Sequence, residues 1–110
     1  MGINMLSDYQ NPGPAREAID ATSGGVMLEF GTAWCGYCQA AAPAIEEALR
    51  EYPTVEHIRV EDGPGRRLGR SFRVKLWPTL VFLKDSVEVA RAVWPEEVDV
   101  VVGGLTQISQ

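Results

Sequence analysis

Two short, nearly continuous apolar runs stand out in the chain, Val26-Met27-Leu28-Glu29-Phe30 and residues 79–83. Runs of this kind suit strands covered on both faces of a sheet. Residues 55–60 alternate instead, with Glu56, Ile58 and Val60 on one face and Val55, His57 and Arg59 on the other. Residues 87–94 alternate too, and Asp85-Ser86 joins them to the preceding run tightly enough for a hairpin. Between the strands the period lengthens. Over 35–52, Ala41, Ile45, Ala48, Leu49 and Tyr52 recur at spacings of three and four, with Glu46, Glu47, Arg50 and Glu51 mostly outside that stripe. This predicts a helix, ended by Pro53. Shorter helices are predicted over 15–22, behind Pro14 and stopped by Gly24-Gly25, and over 66–73, after Gly63-Pro64-Gly65. Pro95 opens a last helix, with Glu96 and Glu97 near its positive end and Val98, Val101, Val102 and Leu105 as its stripe. Its valines and Gly103-Gly104 are poor helix formers. Residues 1–14 form a turn-rich lead-in with at most a short strand around Met5 to Tyr9.

The order is helix, strand, helix, strand, helix, strand, strand, helix. Its first half is a parallel crossover and its second an antiparallel hairpin, which gives an α/β fold. A mixed central sheet of four to five strands is flanked by helices on both faces. With 110 residues the chain is long enough for one domain over 1–110 and too short for two. Residues 1–13 belong to that domain only as a poorly structured lead-in or a short first strand.

Charge removes some classes of function. A net −5 does not suit nucleic acid or an anionic membrane surface. No stretch reaches the roughly 20 apolar residues that span a bilayer. The first ten residues lack the basic and apolar regions of a secretory signal, so the expectation is a cytoplasmic protein. A monomer is expected, because thiol exchange needs an exposed site.

The chemistry lies in the two cysteines, Cys35 and Cys38, with two residues between them. A disulfide between them would close almost no loop, so it stabilises little and suggests reactivity instead. Zinc would need four ligands, and one histidine, His57, with no second cysteine pair does not supply them; no metal and no cofactor is expected. The pair falls where a buried strand feeds a helix. Backbone N–H groups there favour an anion, so Cys35 is the expected nucleophile and Cys38, one turn further in, the more shielded resolving thiol. Cys35 attacks a partner disulfide, and Cys38 displaces the partner from the mixed disulfide. Glu29 stands inside an apolar run six residues before Cys35, where burial should raise its pKa.

Residues 30–38, Phe30-Gly31-Thr32-Ala33-Trp34-Cys35-Gly36-Tyr37-Cys38, resemble the active-site segment of the thioredoxin family. The resemblance continues at Pro43, matching the proline that kinks the family's active-site helix, and at Trp77-Pro78-Thr79, similar to its cis-proline loop. It covers most of residues 26–94. It implies the thioredoxin fold, protein disulfides as substrates and an upstream dithiol reductase as a second partner. It implies a cis bond before Pro78 and a Trp77 backbone that pairs with a bound peptide strand. It also implies that Glu29 accepts the proton of Cys38, in the place of the family's buried aspartate, with His57 as its neighbour. Trp34 is expected to shield the dithiol. Trp34, Gly36, Tyr37, Trp77 and Pro78 are expected to meet the partner.

Two departures keep alternatives open. Thioredoxins usually carry Gly-Pro between the cysteines, whereas Gly36-Tyr37 resembles some isomerases and glutaredoxins. Trp94 falls where the family usually has a glycine lining the groove. The leading reading is a reductase of protein disulfides. A disulfide oxidase or isomerase using the same site is the second, and a non-catalytic binding module the third. Arg66, Arg70 and Arg73 share a face of their short helix and read as a solvated surface.

Overall fold

The computed structural model describes residues 6–109. Its elements run α1 (Arg16–Asp20), β1 (Gly25–Gly31), α2 (Gly36–Arg50), β2 (Glu56–Glu61), α3 (Arg67–Ser71), β3 (Thr79–Lys84), β4 (Val87–Val93) and α4 (Val98–Ile108). The strands form one mixed sheet in the order β2-β1-β3-β4. β1 pairs parallel with β2 and antiparallel with β3, and β3 pairs antiparallel with β4. The two apolar runs are therefore the two central strands.

Alternation along β1 divides the core. Val26, Leu28 and Phe30 pack with Ile19 of α1, Leu68 of α3, Phe72, and Val81 and Leu83 of β3. Met27 faces the other way, into a cluster with Ile45 and Ala48 of α2, Phe82 of β3 and Leu105 of α4. A period of two then puts Glu29 on the same side as Met27, under the beginning of α2. That placement builds the site.

The elements agree with the pattern in kind and differ at their ends. α1 and α3 are a single turn each, shorter than the predicted 15–22 and 66–73. α4 begins at Val98 rather than at Pro95 and runs through both glycines. Gly104 is there for packing, since a Cβ on it would overlap the Phe82 ring. The strand expected around Met5 to Tyr9 is not formed over its described part, and Met5 lies outside the described residues. Only Gln10 bridges to Val60, its N–H donating to the Arg59 carbonyl at 2.8 Å and its carbonyl accepting from Glu61 N–H at 3.0 Å. Pro12 and Pro14 have no N–H to extend that ladder. At the hairpin, Asp85 and Ser86 both have positive φ, 49° and 67°, as a tight primed turn requires.

Candidate active site

Cys35 is the N-cap of α2, and its sulfur accepts the Cys38 backbone N–H at 3.2 Å. Both thiols are free and buried, Cys35 at 8% exposure and Cys38 at 1%. Sulfur at a helix N-cap meets the positive end of the peptide dipoles, which favours a thiolate there. Cys38 has the opposite environment. Burial pushes its thiol up to about 12, helped by its hydrogen bond to the Cys35 sulfur. The Thr32 backbone and the Tyr9 hydroxyl act in the other direction.

Beneath the pair is a buried ionic cluster. Glu29 is fully buried and directly opposite Arg59 in the β1–β2 register. The Arg59 guanidinium donates from Nε to Oε1 and from Nη2 to Oε2, both at 3.1 Å. His57 Nε2 lies 2.8 Å from Oε1, and the Tyr9 hydroxyl donates to Oε2 at 2.9 Å. Arg59 also stacks over the Tyr9 ring at 4.0 Å and donates to the Ser7 carbonyl at 2.7 Å. Tyr9 is thus pinned from above and beside, with its hydroxyl and the Cys38 sulfur both next to Gly31. Gly31 permits that approach. A Cβ on it would stand 2.5 Å from Cys38 Sγ and 3.1 Å from the Tyr9 oxygen.

Around the sulfurs lies an aromatic surface. Trp34 packs edge-on against Trp77 with ring centres 5.8 Å apart, and Tyr37 stacks on Trp94 at 5.0 Å. The Trp77–Pro78 bond is cis. Trp77 Nε1 donates to Asp62 at 2.9 Å. Trp94 has φ 53° and donates through Nε1 to the Trp77 carbonyl at 2.9 Å. Beside it a groove of about 350 Å³ runs along Tyr37, Ala40, Ala41, Trp94 and Pro95.

The thioredoxin family profile matches residues 13–106. This chain belongs to the thioredoxin family. It is similar to thioredoxin 2 of Pseudomonas aeruginosa in its reduced form, with 52% identity, a TM-score of 0.84, and coverage of 94% of this chain and 96% of that one. A thioredoxin of Chlamydia trachomatis is 33% identical over 82 residues, 74% of this chain and 80% of its own. Thioredoxin of Fasciola hepatica aligns with a TM-score of 0.70 at 28% identity, over 84% and 89% of the two chains. With the paired cysteines, membership makes the chain a thiol-disulfide oxidoreductase.

Against the thioredoxin pattern, the structure brings Cys35, Cys38, Glu29, Trp34, Gly36, Tyr37, Trp77 and Pro78 to one end of the sheet. One expectation needs correction. Glu29 is not raised. Burial alone would raise it, but the His57 hydrogen bond and the Arg59 guanidinium outweigh burial and hold the carboxyl below the usual carboxylate range. Trp34 is itself 73% exposed and rests against Trp77 beside the buried sulfurs. His57 is the expected neighbour of Glu29. Arg59, which alternation set on the His57 face of β2, is the second and bidentate partner. Tyr9 escaped notice because nothing in a turn-rich lead-in marks a side chain that reaches the interior. The one available signal is Glu29, a lone charge in the otherwise apolar β1, which asks for a buried partner.

Proposed function

We propose that this thioredoxin-family chain works as a reductase of protein disulfides, fed by an upstream dithiol reductase. The supporting observation is the unequal pair at the start of α2, in a chain 52% identical to a thioredoxin solved in its reduced form. Cys35 sits at the helix N-cap, where its sulfur accepts the Cys38 backbone N–H at 3.2 Å, and Cys38 lies deeper at 1% exposure. Arg59 and His57 are turned to Glu29, so the cations of the cluster are committed to the carboxylate.

Each turnover divides between two unequal thiols. The Cys35 thiolate attacks one sulfur of the substrate disulfide, forming the mixed disulfide and expelling the other substrate sulfur. Cys38, kept protonated by burial until then, loses its proton and attacks Cys35 Sγ. The Cys35–Cys38 disulfide forms, and the second substrate sulfur leaves as a thiol. The substrate disulfide is the oxidant for this closure, so the Cys35–Cys38 bond forms only after the mixed disulfide has formed.

Equilibration against defined dithiol buffers tests the direction of electron flow. A reduction potential near −270 mV is expected, about that of a reducing thioredoxin. A value of roughly −180 to −120 mV would place the protein among disulfide isomerases and oxidants and overturn the reading.

A further inference from the structure

Three features of the site are unused by the two-thiol scheme: the Tyr9 hydroxyl, the arginine face of α3, and the indole of Trp94 on the Trp77 carbonyl. The first is carried furthest by its contacts. Tyr9 comes from the lead-in, outside every helix and strand, yet it is held by an ion pair. Its ring lies under the Arg59 guanidinium, and its hydroxyl donates to Glu29 Oε2 at 2.9 Å. The same oxygen faces Cys38 Sγ across the space that Gly31 leaves open.

The geometry points to Tyr9 as a hydrogen-bond donor that changes acceptor during the reaction, from Glu29 Oε2 in the resting dithiol to Cys38 Sγ when Cys38 resolves the mixed disulfide. A hydroxyl has one hydrogen and a rotatable C–O bond, so it serves one acceptor at a time. Glu29 can release it because Arg59 and His57 still satisfy both carboxylate oxygens. Cys38 then gains a donor at the moment its sulfur becomes an anion, inside a site that otherwise opposes charge. In this step the Cys38 S–H bond breaks and the Cys38–Cys35 bond forms. The bond from Cys35 to the substrate sulfur breaks, its electron pair stays on that sulfur, and the proton given up by Cys38 ends there. Tyr9 keeps its own proton throughout. Burial and the Glu29 charge hold that hydroxyl far above tyrosine's ordinary range, so it donates without acting as an acid.

Glu29 thereby has a different part from the proton acceptor that the family resemblance implied. Its carboxylate stays ionised and parks the donor. The groups facing Cys38 Sγ and its donor are Cys35 at the N-cap of α2, Glu29 from β1, His57 and Arg59 from β2, and Tyr9 itself.

The inference rests on the dithiol reading, and the test separates the two. Reaction with an aromatic disulfide such as 5,5′-dithiobis(2-nitrobenzoate) releases one coloured thiolate when Cys35 attacks and a second when Cys38 resolves. Tyr9→Phe keeps the ring under Arg59 and removes only the oxygen. The first release should be unchanged, which also shows an intact site. The second should slow about tenfold near neutral pH, the worth of one hydrogen bond to a charged group. In a Cys35→Ser background, Tyr9→Phe should raise the pH at which the Cys38 thiolate absorbs by about one unit. Equal second releases and equal Cys38 titrations with and without Tyr9→Phe would overturn the role of Tyr9. A wild-type protein that gives no second release would overturn the dithiol reading itself.

Discussion

A carboxylate with no water around it must find its solvation in the protein, and Glu29 finds it in Arg59, His57 and Tyr9. Such a cluster is conditional. Each member is tolerable inside only because of the others. Removing one member should therefore cost far more than a surface ion pair. Arg59→Met, which keeps the chain length and loses the charge, should destabilise the fold by about 3–5 kcal/mol in urea unfolding. Replacing Glu29 by leucine in the same molecule should recover much of that loss, since both buried charges are then gone. If Arg59→Met unfolds at the wild-type urea concentration, Glu29 is not the committed anion described above.

At the level of elements, the central strands, α2 and the hairpin were legible because each leaves a local signature. Two apolar runs marked β1 and β3, the three-four stripe marked α2, and a polar dipeptide between apolar runs marked the turn. The dithiol, Pro43 and Trp77-Pro78 marked the site. Tyr9, Arg59 and Gly31 were not legible as site residues, because their meeting depends on parallel register and on where a loop is laid down. Register places Arg59 opposite Glu29 although thirty positions separate them. No periodicity along either strand records that. The single-turn length of α1 and α3 was illegible for a similar reason, as tertiary packing sets where a short helix frays. The hairpin also yields a prediction. Ser86 has φ 67°, a conformation natural to glycine and costly to serine, whereas Asp85 accepts the Gly24 N–H at 2.8 Å and should be kept. Ser86→Gly should raise stability by about 0.5–1 kcal/mol in denaturant unfolding, the relief of strain less the entropy that glycine adds to the unfolded chain. A loss of stability would show that the Ser86 side chain contributes more than its backbone costs.

For the whole molecule, the buried groups set the pH range of the fold. Glu29 titrates lower folded than unfolded, so its contribution is complete above its ordinary value of 4.5 and is lost as pH falls through the folded value. Cys38 shifts the other way, from 9.0 to about 12. The unfolded chain gives up that proton first, so stability falls as pH rises above 9. Tyr9 adds to the same limb from its ordinary 10 upward. Urea midpoints of the reduced protein should thus be level between about pH 5 and 9 and fall on both sides. Oxidation removes the Cys38 proton from the account, so the alkaline fall should be shallower in the disulfide form. Identical alkaline limbs in the two forms would contradict this. The Trp94 indole donates to the Trp77 carbonyl. A carbonyl oxygen has two lone pairs, so the indole fills one place and leaves one. Were a substrate strand to pair at that edge, as the proposed reductase reading has it, it would find one place taken and one open. An N–H could be received beside the indole, whereas a visitor that pushed the indole aside without replacing it would leave the carbonyl one donor short, at a cost of about 1–3 kcal/mol.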